Sequence, residues 1–187
     1  GEEQEWGFAW RGRMAEEYVV RCLRARNDVS LACAGGEQRS YPDETLRLSA
    51  TPDGEISIEE GPWRGIEIKS IDPRTNRSNL PKPAHITQLQ IAMELRNMTH
   101  ADACPPLTEG ILLYIDASNY NDILTFTVRA DPTILDTYAK KAAKVFRTKN
   151  VDNLDREGKR NGGCTYCPHK VTCGVTLDGP QTRQRVR

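Results

Sequence analysis

The sequence has no run of 18 apolar residues and no basic start leading into an apolar stretch. The first absence leaves no helix that spans a bilayer, and the second leaves no visible secretory signal. A soluble, cytoplasmic protein with no membrane partner is expected. Net charge is missing too: 26 Lys and Arg stand against 26 Asp and Glu. No overall basic field announces nucleic acid, so a DNA-binding chain of this composition must gather positive charge in patches. Internal repeats are absent, which argues against a solenoid or array. The chain opens on Gly1 without a methionine, which reads as a trimmed start.

What is present is enough for one sizeable core. At 187 residues and 37% hydrophobic, the chain is too short for two full domains and a linker, and one domain with an appendage is expected. The appendage announces itself through cysteine. Three of the six cysteines crowd into "CTYCPHKVTC", at Cys164, Cys167 and Cys173. That C-x2-C-x5-C spacing holds thiolates close enough to share a metal, and in an intracellular chain this reading outweighs three disulfides. The expected division is a core over 1–150, a cysteine-rich metal or cluster segment over 151–179, and a basic tail over 180–187.

Periodicity supplies the order of elements. Trp6, Phe8, Trp10, Met14, Tyr18, Val19, Cys22 and Leu23 recur at helical spacings from Glu2 to Arg26, predicting a long first helix with a break near Gly12. A first strand is expected around Val29–Ala34 or Gln38–Tyr41, then strands over Thr45–Ala50, Glu55–Ile58 and the stretch "RGIEIKSI". Three prolines between Ile71 and Ala84 predict an exposed loop. From His85, "HITQLQIAMELRNM" places Ile86, Leu89, Ala92, Met93 and Leu95 on one helical face. "GILLYID" and "ILTFTVRA" follow as strands joined by a hairpin, and Pro132 opens a last helix. The result is a mixed α/β fold.

Chemistry concentrates in two short stretches. "ATPDGEI" carries Asp53, and "GIEIKS" carries Glu67 and Lys69, which share one face of a strand while Ile66 and Ile68 take the other. Asp53 and Glu67 are the oxygen donors that Mg²⁺ or Mn²⁺ takes, with the backbone carbonyl of Ile68 as a third protein ligand. Lys69 then orients or deprotonates an attacking water and faces developing negative charge. By itself an acid-x-Lys on a strand is commonly a solvated sheet face. Here it is flanked by apolar residues, with an Asp-Gly one strand upstream and a long helix before both.

In this order the motifs resemble the PD-(D/E)XK nuclease superfamily, and within it the RecB-like exonuclease branch. "GRMAE" is similar to the G-x-x-x-E of the family's first helix, implying Glu16 as a further acid beside the metal. Asp53, Glu67 and Lys69 match its central motif. "HITQLQ" resembles the H-x-x-Q helix motif, implying Gln88 on the metal-bound water, nucleophile or lysine, and His85 near a DNA phosphate; Ala92 stands where the family usually has Tyr. The cysteine knuckle looks like that of the iron–sulfur members, which serve helicase–nucleases and CRISPR adaptation, whereas "ATPDG" and "HITQLQIAM" look like the lambda-exonuclease or YqaJ branch. The resemblance implies a restriction-endonuclease-like core, a central mixed sheet flanked by helices, followed by a C-terminal cysteine knuckle. It further implies a metal-dependent DNA exonuclease in recombination, repair or CRISPR adaptation, acting alone or in a protein complex.

The iron–sulfur relatives use four cysteines. Cys33 is the first candidate for the fourth ligand of a [4Fe-4S] cluster, ahead of Cys22 and Cys104, and His169 would instead complete a structural Zn²⁺ site. Arg74, Arg77 and Lys82 in the loop after Lys69 are expected to contact DNA phosphates. Arg11, Arg13, Lys140, Lys141, Lys144 and Arg147 form further basic patches, while Trp6, Trp10 and Tyr120 are candidates for stacking on bases. Glu17 is the alternative acid if the helix phase slips by one. Against the enzyme stands a second reading, a weakly catalytic or non-catalytic DNA-binding subunit of a larger nuclease, helicase or integration complex.

Overall fold

The computed structural model describes residues 5–100 and 104–149. The chain divides into two compact units, Gly1–Ala142 and Ala143–Arg187, and the sheet and candidate site lie in the first. Cys164, Cys167, Cys173 and His169, the cysteine segment and the basic tail all lie outside the described residues.

Ten main elements follow in the order α1 Glu5–Arg24, β1 Val29–Ala32, β2 Tyr41–Asp43, β3 Leu48–Ala50, β4 Gly54–Ile58, β5 Arg64–Ile71, α2 Pro83–Thr99, β6 Glu109–Asp116, β7 Asn119–Arg129 and α3 Thr133–Arg147. Five strands form one sheet in the order β1-β4-β5-β6-β7. The β5–β6 pair is parallel and the other pairs are antiparallel. A parallel pair needs a crossover, and α2 is that crossover.

Each face of the sheet is covered by a helix because the strands alternate. Ile66 and Ile68 pack with Leu113 and Ile115 against Ala15, Val19 and Val20 of α1. Leu112 and Tyr114 point the other way and pack with Leu89 and Met93 of α2. Two glycines paired across the parallel ladder, Gly65 and Gly110, let α2 approach. A Cβ on Gly110 would lie 2.9 Å from Leu89 Cδ2 and from Met93 Sδ, so a larger residue there would lift the helix off the sheet.

One expectation is corrected and two are made more specific. α1 runs unbroken through Gly12: a glycine inside a helix costs only about 0.5–1 kcal/mol, which the burial of Ala15, Val19 and Val20 offsets. β2 and β3 form a separate two-stranded sheet, carried over α2 by Tyr41 and Leu48 packing with Leu95. The loop after β5 is largely exposed, as its prolines suggest, though it holds a short 3₁₀ turn at Arg77–Asn79 and buries Leu80.

Candidate active site

β5 carries the centre of the site. Its alternation puts Glu67 and Lys69 on the α2 side, as the pattern predicts, but that face is no solvated surface: Glu67 is 1% exposed. Asp53 stands one residue before β4, where the β4–β5 ladder ends at Gly54 and Ile66. Its backbone N–H donates to Ile66 O at 3.2 Å, and its side chain takes over where strand pairing stops, Oδ2 accepting from the Ile68 N–H at 2.6 Å. The Asp-Gly pair suits this corner. A Cβ on Gly54 would lie 2.8 Å from that of Ala34.

A third acid arrives from α1. Gln38, just past the 3₁₀ turn Gly35–Glu37, donates through Nε2 to Glu16 Oε1 at 2.8 Å and to Asp53 Oδ1 at 3.3 Å. From the other side of the sheet, Gln88 of α2 donates to Glu67 Oε1 at 2.6 Å, and Lys69 Nζ reaches the same oxygen at 2.5 Å. Gln38 ties Glu16 to Asp53, Glu67 ties Lys69 to Gln88, and charge interactions of Asp53, Glu16 and Lys69 with Glu67 join the two groups into one constellation. Gln38 belongs to it as well. No sequence signal marks a turn glutamine for such a role.

Charge in this cluster is unbalanced. Burial pushes Glu67 up to about 7, and the nearby Asp53 and Glu16 add to the rise against the pull of Lys69. Burial also raises Asp53, against the Ile68 N–H, Lys69 and Gln38, which favour its charged form. Glu16 is raised by burial first and by Asp53 second. Lys69 is the cation that lowers all three carboxyls. Glu67 Oε2 is moreover buried with no hydrogen-bond partner.

An unpartnered buried carboxylate oxygen in an acid-rich cluster is what a hard divalent cation would satisfy. Asp53 and Glu67 are the residues placed to hold one, with Glu16 tied in through Gln38. Among the described residues no three acidic, His or Cys side chains form a ready cage, so water and substrate oxygens would complete the ligand set. Ile68 has a second backbone role beside the carbonyl expected on the metal. Its amide holds Asp53.

His85 sits at the first turn of α2, with Nδ1 2.8 Å from Tyr114 Oη. That hydroxyl also accepts from the Lys82 N–H at 3.0 Å; a Tyr114 proton given to Nδ1 would leave the imidazole proton on Nε2. Burial, then Lys69 and Lys82, lowers His85 to about 4. It is therefore a neutral N–H donor near pH 7. Tyr114 escaped the sequence reading because its partner helix comes from a segment about 30 residues earlier.

Other expected contacts fall elsewhere. The Arg74 guanidinium is held by Asp72 at 2.9 and 3.0 Å. Arg77 is gripped by Asp122 at 2.6 and 2.5 Å and by Asp116 at 3.2 Å. Both arginines expected on DNA phosphates are thus engaged by carboxylates. Tyr120 packs its ring 4.9 Å from that of Tyr18 rather than standing free, whereas Trp10 is 57% exposed. Of the cysteines considered as a fourth cluster ligand, Cys33 is half-buried with a left-handed backbone (φ 52°), and Cys22 and Cys104 are exposed; all three are free thiols.

Two solved structures share this arrangement of elements. The fold is restriction-endonuclease-like. The crystal structure of SSO0001 is similar at 18% identity over 88% of this chain and 69% of that one, with a TM-score of 0.54. An alkaline exonuclease from Laribacter hongkongensis, LHK-Exo, is similar at 17% identity over 74% of this chain and 68% of that one, with a TM-score of 0.50. At these identities the likeness carries the fold alone. No family model and no curated sequence matches the chain.

Proposed function

We propose that the chain is a metal-dependent deoxyribonuclease that hydrolyses phosphodiester bonds at DNA ends or in single strands. The observation that carries this reading is the buried, unpartnered Glu67 Oε2 in a cluster where Asp53, Glu16, Lys69 and Gln88 converge. A Mg²⁺ or Mn²⁺ ion bound by Asp53 and Glu67, with the Ile68 carbonyl as a further donor, would lower the pKa of a bound water and offset charge on the phosphate. The chain's own residues do the rest. Lys69 holds the attacking water and gives its N–H to negative charge growing on the phosphate oxygens. Gln88 keeps Glu67 in place, and neutral His85 donates Nε2–H to a phosphate oxygen. The fold shared with LHK-Exo, an alkaline exonuclease, supports the same direction.

The test is digestion of end-labelled single- and double-stranded DNA with Mg²⁺ or Mn²⁺. Asp53→Ala and Lys69→Ala should each lower the rate by at least about 10²-fold, the scale of a lost electrostatic or acid–base group. Unchanged digestion by both variants would mark a contaminant. The cysteine knuckle is proposed to hold a [4Fe-4S] cluster through Cys164, Cys167, Cys173 and Cys33, on the resemblance of that stretch to iron–sulfur nucleases. Brown protein with broad absorbance near 400 nm supports it, and colourless protein carrying one zinc per chain overturns it.

A further inference from the structure

A cavity of about 440 Å³ opens beside the catalytic cluster, in the first compact unit. Its walls include Ser49 of β3, Thr51 just beyond, Ala84, Thr87 and Gln88 of α2, and Tyr138 of α3. Gln88 is shared: its side-chain amide lies on Glu67 Oε1. The cavity therefore begins one side chain from the acids proposed to work on the phosphate.

Its chemistry narrows the occupant. No lining residue carries a charge, so a phosphate or carboxylate would lose its water there without a compensating cation. A purely apolar ligand would strip water from hydroxyls and return nothing. A flat neutral ring with polar edges meets both conditions, since Ala50, Ala84, Ile91 and Ala92 line the wall with apolar surface, Tyr138 borders it, and Ser and Thr hydroxyls both donate and accept. The volume lies within the range of roughly 300–1,000 Å³ usual for small-ligand pockets. Lys141 Nζ lies 4.8 Å over the Tyr138 ring.

Resting on the nuclease reading, we propose that this cavity takes an unpaired nucleobase of the strand being cut, next to the scissile phosphate. A base held in a duplex is paired and stacked and must leave the helix to enter. The site then selects single strands and frayed ends, and a largely apolar wall edged by a few hydroxyls admits any base.

The test separates the cavity from the catalysis. Binding of fluorescein-labelled dT12 is measured by anisotropy in EDTA, where no turnover occurs, for the parent and for Ala84→Trp, which fills the cavity. Tyr138→Ala and Tyr138→Phe form a second pair, and circular dichroism melts check folding. Loss of one stacked base corresponds to roughly a five- to hundredfold weakening. That loss is expected in Ala84→Trp and Tyr138→Ala but not in Tyr138→Phe. Parent-like affinity in folded Ala84→Trp or Tyr138→Ala overturns the assignment. Separately, Mn²⁺-dependent hydrolysis of bis(p-nitrophenyl) phosphate, which has no base, reports on the nuclease reading by itself.

Discussion

Glu67 enters the folded protein with one oxygen on Lys69 and Gln88 and the other on nothing. Its ordinary value of 4.5 rises to about 7. Between those limits the folded protein keeps a proton that the unfolded chain has released, so this group's contribution is complete below about 4.5 and fades as pH rises through 7. The loss is on the order of 3 kcal/mol, at about 1.36 kcal/mol per unit. Asp53 and Glu16, also raised, push in the same direction. Urea midpoints in EDTA should therefore fall from pH 5 to pH 8, and Glu67→Gln should flatten the slope. Adding Mg²⁺ or Mn²⁺ at pH 8 should restore stability by mass action on the folded state. A slope identical in parent and Glu67→Gln would show that the carboxyl is solvated and the site misread.

The elements are tied by a second buried charge pair, far from Glu67 in role though on the same face of the sheet. Arg96 of α2 meets Glu55 of β4 at 2.8 and 3.0 Å, Tyr41 of β2 donates to the same carboxylate at 3.0 Å, and Arg96 also reaches Pro105 O at 2.6 Å. Arg96 is 3% and Glu55 6% exposed. Glu55→Ala strands the guanidinium, and a loss of about 3–5 kcal/mol is expected in urea denaturation. Replacing both partners by apolar residues, Glu55→Leu with Arg96→Met, should cost less than the single change. Equal costs would place the pair in water. None of this network is visible in the sequence, because Glu55 and Arg96 are 41 positions apart and nothing local marks them as partners. The same distance hides Arg77, whose loop reads as basic and free until β6 and β7 bring Asp116 and Asp122 to it. What was legible is short-range: the period of two that sends Glu67 and Lys69 together, and the helical face of Leu89 and Met93. Apart from the β6–β7 hairpin, strand partners were not. Leu48–Ala50 has the composition of a strand, but composition does not say that it pairs with Tyr41–Asp43 outside the main sheet.

At the scale of the molecule, 26 positive charges balance 26 negative ones, and many are already paired. Arg24, Arg26, Arg74, Arg77 and Arg96 all rest on carboxylates, and Lys69 rests on Glu67. On the proposed nuclease reading, DNA affinity would draw little on a long-range field and depend on the few phosphates engaged at the site. For single strands, log K falls with log salt at about 0.7 per phosphate neutralised. A protein using three or four cations should show a slope of about −2 to −3 with dT12 in EDTA. The last five residues add Arg183, Arg185 and Arg187. If they touch the strand, their joint replacement by Gln should flatten the slope by about two, while Asp53→Ala, which removes negative charge, should tighten binding instead of weakening it. A slope steeper than about −6 in the parent would mean an extended phosphate track, which the balanced charge and paired arginines argue against.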